Sequence, residues 1–365
     1  MATYKTIKYI VPVEVVEHTD SINALADVDT STAAPTEGQT IKWNGTNWVP
    51  SDIEEASGLT TTLGVVLGGL YDMSYYDINS HVYITSTGVP GSDITYSGSL
   101  AFGAGATYGG DKGFIATRYN VDGYHLLTNT GVLGAGVTIT SAGLGMLMSG
   151  LTYGGDKCIF GWHADSSAAV TWYPQKTFTV SNTGVIGSDT TNPTDSYRES
   201  CIGTGYGGDK GIVLYGWGYT TYDSSSFYPG GGTSSDGRAN LISNTGIVAS
   251  ETACAGTRRQ NGSGGEYGGD KAITAYGYNG GFVNTINTIS NTGVVSSDTT
   301  GVGTARQKPS YTRYGSDKGI FFGGGDYLDP ECQFYNLVSN TGVIATDTSV
   351  TNDARFQAIG CGYGS

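Results

Sequence analysis

The phrase YGGDKGIVLYGW at 206–217, followed after a gap by NLISNTGIV at 240–248, recurs almost unchanged along the chain. Recurrence at tens of residues marks one supersecondary unit that stacks on copies of itself. The Asp of the first half falls at Asp111, Asp156, Asp209, Asp270 and Asp317. The apolar residue closing the second half falls at Val89, Val132, Val185, Ile247, Val294 and Val343. The mismatch of five against six resolves at the ends. LGVVLGG at 63–69 with YITSTGV at 83–89 is a unit without its first strand, and ARFQAIGCGYGS at 354–365 is a first strand without its unit. The fragments complete each other if the array closes into a ring, which also removes exposed sheet edges. Six blades follow.

Each unit reads as four strands. In the last unit these are strand a at 306–313, a turn at 314–318, strand b at 319–324, strand c at 333–339 and strand d at 343–348. Strand b is apolar or glycine at nearly every position, as expected of a strand covered on both faces by neighbouring blades. Strands c and d turn on Asn-Thr-Gly, where Asn and Gly accept positive φ. The 59 glycines show no triplet period and prolines number only 9, which excludes collagen and fits many tight turns. The 26 tyrosines suit short strands and exposed aromatic faces.

The charge of −14 opposes nucleic acid and anionic membrane as partners. No run approaches the ~18 apolar residues of a membrane span, and Pro12 and Glu14 interrupt any signal-like start. Cys158, Cys201, Cys254, Cys332 and Cys361 show neither metal nor paired spacing and read mostly as buried thiols.

Residues 1–56 differ in kind. A polar connector leads into QTIKW at 39–43, Asn44-Gly45 and TNWV at 46–49, a short hairpin signal too small to stand alone. The expected organisation is therefore 1–56 as an attachment or oligomerisation segment with a hairpin and 57–365 as one six-bladed all-β propeller.

The order of Thr-Ala-Arg, apolar strand, Gly-x-Asp-Lys, apolar strand ending in Gly-Gly or Gly-Tyr-Gly, variable loop, strand, Asn-Thr-Gly and strand resembles the kelch-type β-propeller repeat over 57–365. The stretch LADVDTST to WNGTNWVP at 25–50 is similar to segments of tailed-phage virion and tail-fibre proteins, as are the SNTGVI, DTT, TAR and YGGDK phrases. The resemblance implies a virion location and a fibre or adhesin role. It also implies virion proteins as partners of the N-terminal segment, a bacterial surface glycan or protein as target, and, by analogy with fibres, a homotrimer through 1–56.

Several residue sets are candidates for chemistry. The repeated Asp-Lys reads as a turn former accepting backbone N–H bonds, with calcium as the alternative. Arg198, Arg258, Arg306 and Arg355 recur at the start of strand a, with Ala101 and Leu144 near that place in the other two units. They read as inter-blade ion pairs or carbonyl partners, or as an anion clamp at one mouth. His18, His81, His125 and His163 share no ligand spacing, so neither a metal nor a cofactor is expected. Nothing points to catalytic groups. The expected function is therefore not enzymatic, with a glycan-cleaving propeller and a decoration protein without a receptor as the alternatives.

The b–c connection varies most, running long at 163–176 and 219–238. Insertions confined to one loop position crowd one face of a disc. Trp172, Tyr173, Tyr222, Phe227 and Tyr228 there, with Tyr327 in the sixth unit, are the candidate ligand-binding residues, set among Ser, Gly and Asp that suit stacking on sugars.

Overall fold

The computed structural model describes residues 39–43, 46–52, 62–70, 78–96, 100, 103–119, 121–139, 149–162, 176–192, 197–219, 237–325 and 332–364. Contacts divide the chain into compact units at 1–59 and 60–365. In the first, Gln39–Trp43 pairs antiparallel with Trp48–Asp52, bringing Trp43 opposite Trp48. That is the hairpin the Asn-Gly step predicts.

The second unit is the six-bladed β-propeller. Blade I combines Ile359–Tyr363, Leu63–Leu67, Ser80–Ile84 and Ile94–Thr95. Blades II to VI begin with Ala104–Tyr108, Ser149–Tyr153, Ile202–Tyr206, Ser263–Tyr267 and Ser310–Tyr314, and each adds three further antiparallel strands in chain order. Ring closure follows the predicted alignment, with Tyr363 opposite Leu63 and Ile359 opposite Leu67. No helix occurs among the described residues.

Strand a faces the axis. Strand b lies behind it, and its apolar residues are sealed between blades, as in Lys318–Phe322, where all but Lys318 are buried. Strand d is shorter than the sequence suggests. In blade VI it is Thr348–Ser349, while Ile344 makes only an isolated bridge to Val338. The Ser339 hydroxyl accepts the Val343 amide at 3.1 Å, so the chain stays looped before it can pair. Strand a of that blade likewise begins at Ser310, and 306–309 are a lead-in to it.

Two rows of contacts join the blades at the end where strand a turns into strand b. In the first row, a turn glycine donates its N–H to the carbonyl of the next blade's Asp. These bonds are Gly109 to Asp156, Gly154 to Asp209, Gly207 to Asp270, Gly268 to Asp317 and Gly364 to Asp111, and Gly315 to Thr62 completes the circle, all at 2.6–2.9 Å. In the second row, the tyrosine opening the YGGDK phrase lies under the Asn-Thr-Gly glycine of the next blade. A Cβ on Gly246 would fall 2.9 Å from the Tyr153 ring, and one on Gly342 would fall 2.6 Å from that of Tyr267. Both glycines also hold φ near +80°, so the position excludes side chains on two counts.

The aspartate expectation is half right. The backbone bond is accepted by the Asp carbonyl, whereas its carboxylate is occupied within its own blade. Asp209 takes Asn244 Nδ2 on Oδ2 at 3.1 Å and Lys210 Nζ on Oδ1 at 3.1 Å. Gly246→Ala should lower stability by about 1–3 kcal/mol through strain and overpacking, read as an earlier urea midpoint. An unchanged midpoint would contradict the ring-under-glycine contact.

Candidate functional site

Because strand a starts, and strand b ends, at the end opposite those turns, the b–c connections, the lead-in segments and one mouth of the axis share a face. The base of the longest connection is tied there. Trp217–Tyr219 pairs with Tyr197–Glu199, the lead-in to strand a of blade IV. Blade II instead continues its strands to a pair at Tyr119 and Val121. Trp172, Tyr173, Tyr222, Phe227, Tyr228 and Tyr327 lie outside the described residues.

The lead-in arginines hold the blades together from within. Arg198, Arg306 and Arg355 are at most 3% exposed. The repeat position in blade V belongs to Arg259, 2% exposed, rather than to the half-buried Arg258, which corrects the sequence alignment by one residue. In blade II the place belongs to buried Leu100, one residue before the Ala101 of the sequence alignment, since Gly69 donates to the Leu100 carbonyl as Gly216 does to that of Arg259.

Each guanidinium makes its hydrogen bonds within its own blade. Arg306 donates to Asn336 Oδ1 at 2.7 Å and lies 3.9 Å from the Tyr276 ring centroid of blade V. Arg259 repeats this with Asn287 Oδ1 at 2.7 Å and the Tyr215 ring. Arg198 bonds Asn240 and pairs with Glu251 at 3.1 Å. Arg355 bonds the Gly68 and Ser80 carbonyls and Asp93. Burial draws the Arg259, Arg306 and Arg355 guanidiniums below their usual value. Of the arginine set proposed from sequence, none lines the axial cavity described below.

In blades IV, V and VI the arginine has an asparagine partner, whereas in blade I Val82 holds that place and Arg355 turns to Ser80 and Asp93. At the strand c place of Asn240, Asn287 and Asn336, blades II and III carry His125 and Phe178. There aromatic packing takes over, with Phe160 stacked on Phe178 at 5.4 Å. A buried guanidinium needs a buried acceptor, and an acceptor without it would be stranded.

Carboxylates ahead of strand d complete the lead-in. Asp347 accepts the Thr304 amide and hydroxyl at 3.0 and 2.7 Å and the Asn336 amide at 2.8 Å. Asp298 repeats this with Thr257 and Asn287. Burial alone would raise both carboxyls, but those donors hold them below the usual value.

Among the described residues, small cavities lie along the axis. One, on the loop face, measures about 150 Å³ and is lined by strand a glycines with Ser200, Asn261, Lys308, Ser310 and Gln357. Another, about 70 Å³, lies toward the turn face beside the Glu266–Arg313 pair at 2.7 Å. Tyr311 lines both. A Cβ on Gly265 would fall 1.9 Å from its ring, and its hydroxyl donates to the Glu266 carbonyl at 2.6 Å. Desolvation pushes that phenol well above its normal range.

Among the described residues, no three His, Cys, Asp or Glu side chains gather as a metal site. No carboxylate lines the larger cavity. Cys158, Cys201 and Cys361 are buried thiols, and Cys254 and Cys332 are half-buried.

Two outcomes follow from this geometry. Arg306→Ala should cost about 1–3 kcal/mol by stranding Asn336 Oδ1. Arg306→Met with Asn336→Leu should cost less than the sum of the single changes by roughly 1–2 kcal/mol, measured by urea unfolding, and strict additivity would deny the coupling. Depressed carboxyls stabilise the fold above the unfolded value of about 4 and lose that contribution as pH falls through their folded values. Asp298→Asn with Asp347→Asn should therefore lower Tm at pH 7, and the gap to the wild type should narrow below about pH 4; a gap independent of pH would remove the carboxylates from that role.

No family model matches the sequence, and no curated protein matches it. Among solved structures, the chain is similar to a protein of unknown function from Bacteroides caccae, at 9% identity and a TM-score of 0.48 over 83% of this chain and 99% of that one. It is also similar to TolB from Acinetobacter baumannii, at 12% identity and a TM-score of 0.48 over 85% of this chain and 68% of that one. The propeller assignment rests on the strand pairing given above.

Proposed function

We propose that this chain is a virion structural protein of the tail-fibre or adhesin type. In this reading residues 1–56 dock on the particle and mediate homotrimerisation, and the propeller presents its b–c connections to a bacterial surface glycan or protein. One observation carries the reading. The two faces of the disc are built under different constraints.

On the turn face every blade repeats the same contacts, so its surface is fixed by ring closure. On the loop face the connection is a tight pair in blade II and a long insertion in blades III and IV, although the strands on either side keep the same register. Length variation on a constant frame is how rigid scaffolds carry recognition. The inserted sequences are rich in Tyr, Trp, Ser and Gly, which supply contact area at low ordering cost.

The kelch-like phrase order and the similarity of 25–50 to virion segments give this reading its setting. The reading has no place for a cofactor or a catalytic step.

The test compares the full-length chain with one in which 164–175 and 220–236 are replaced by short Gly-Ser links. Binding to intact cells of candidate bacterial hosts should drop at least tenfold, while Tm changes little. Equal binding by both would favour a decoration protein without a receptor, and release of reducing ends from host polysaccharide would favour the glycan-cleaving alternative.

A further inference from the structure

In three blades the residue after the lead-in arginine exchanges backbone hydrogen bonds with a residue at the base of the b–c connection. Phe356 pairs in this way with Leu70 in blade I, Gln260 with Tyr278 in blade V and Gln307 with Gly325 in blade VI. The tie needs only backbone, since a glycine makes it in blade VI and a leucine at 3% exposure makes it in blade I. In blade V the same place carries a tyrosine that stands half-buried.

The connection that Tyr278 opens is a small hairpin. Tyr278 bridges to Phe282, Asn279 donates to the Gly281 carbonyl at 3.0 Å, and Val283 donates to that of Gly277 at 3.0 Å. Gly280 takes a φ of 73° at the tip, a conformation open to glycine at no steric cost. The base is pinned to Gln260 by bonds of 2.8 and 3.1 Å. Asn279, Gly280 and Gly281 are exposed, and Phe282 is half-buried like Tyr278.

The two rings lie 5.7 Å apart at 64°, edge to face. One ring gives its edge in that contact, so the pair spends one ring face on itself and leaves the others for different neighbours. Among the described residues, neither ring joins the hydrophobic clusters on either side of blade V. The stretch 276–290 contains no charged residue on a chain of net charge −14. Aromatic faces beside a neutral, exposed amide suit a ligand with an apolar face and hydroxyls at its rim, and a charged ligand would find no counter-charge in the hairpin.

We infer that this hairpin is a stacking subsite for a neutral pyranose. The C–H face of the sugar lies on Tyr278 and Phe282, and its hydroxyls exchange hydrogen bonds with the Asn279 amide, which both donates and accepts. Rings fixed in advance lower the ordering cost of binding. This rests on the recognition reading above and gives it a ligand class and a rigid subsite on the same face as the long connections.

Saturation-transfer NMR of the full-length chain with methyl β-D-galactopyranoside tests the inference, beside sorbitol, which has the hydroxyls without the ring, and tetraproline, which also stacks on aromatic side chains. Leucine already holds the corresponding place in blade I, so Tyr278→Leu should keep its Tm. The galactoside should receive saturation at its ring C–H protons, and sorbitol at least fivefold less. Tyr278→Leu should cut the galactoside signal at least fivefold, and Phe282→Leu should do the same, so the result does not hang on one variant. No transfer to the galactoside, equal transfer to sorbitol, or an undiminished signal in both variants would each overturn the subsite. Transfer to tetraproline alone would assign the hairpin to a protein partner and overturn it as well. Cell binding that depends on the connections at 163–176 and 219–238 would survive all of these results, so the subsite can fail without the recognition reading failing.

Discussion

A backbone amide of one blade donating to a backbone carbonyl of the next, six times around a circle, is the constraint on which the rest of this structure depends. The donors are turn glycines and the acceptors are the aspartates of the repeat, with Thr62 where the chain lacks its first turn. The circle fixes the radius at the turn face. The radius then fixes how closely the inner strands approach, which is why Gly360, whose Cβ would fall 2.0 Å from the Tyr311 carbonyl, has no side chain. With that spacing set, the tyrosines of the phrase come under the Asn-Thr-Gly glycines. One motif thus supplies the donor, the acceptor, the wedge and the space for the wedge.

At the opposite face the blades are joined by other means. The lead-in to strand a is pinned through buried arginine, asparagine and carboxylate in blades V and VI, and Arg306 and Arg259 stack on the tyrosine of the blade before. Blades II and III fill the corresponding space with aromatic rings. The disc therefore builds four blades around buried arginines and two around aromatic rings, inside a shell of near-identical turns. The polar solution is incomplete, since among the described residues Nε of Arg259, Arg306 and Arg355 has no hydrogen-bond partner, a cost that aromatic packing avoids.

Much of this was legible in the sequence because the motif is dense. Six blades, the antiparallel order, the closing strand and the Asn-Gly hairpin all followed from periodicity and turn chemistry. Strand d was overdrawn because a β-branched run after Asn-Thr-Gly looks like a strand, whereas the serine hydroxyl beside it holds the chain in a loop. The arginine position slipped by one in blade V because Arg258 and Arg259 are adjacent. Thr257 was the usable signal, since the Thr-x-Arg spacing of Thr304 and Arg306 selects Arg259. The left-handed residues at the mouth left no trace in composition. Of Ser200, Asn261, Lys308 and Gln357 only the asparagine is a type that favours positive φ, and the backbone bonds that link them from blade to blade are visible only when neighbouring blades are in place.

Closure by a terminal strand has a topological consequence. The ring already contains one covalent gap, between Tyr363 and Leu63, and that gap is bridged entirely by strand pairing and packing. Breaking the chain once more, within the connection at 220–236, would divide it into two arcs, each gripped by the other at two seams. Neither arc could leave without opening both seams together. A disc built this way can be cut once in a connection and remain whole.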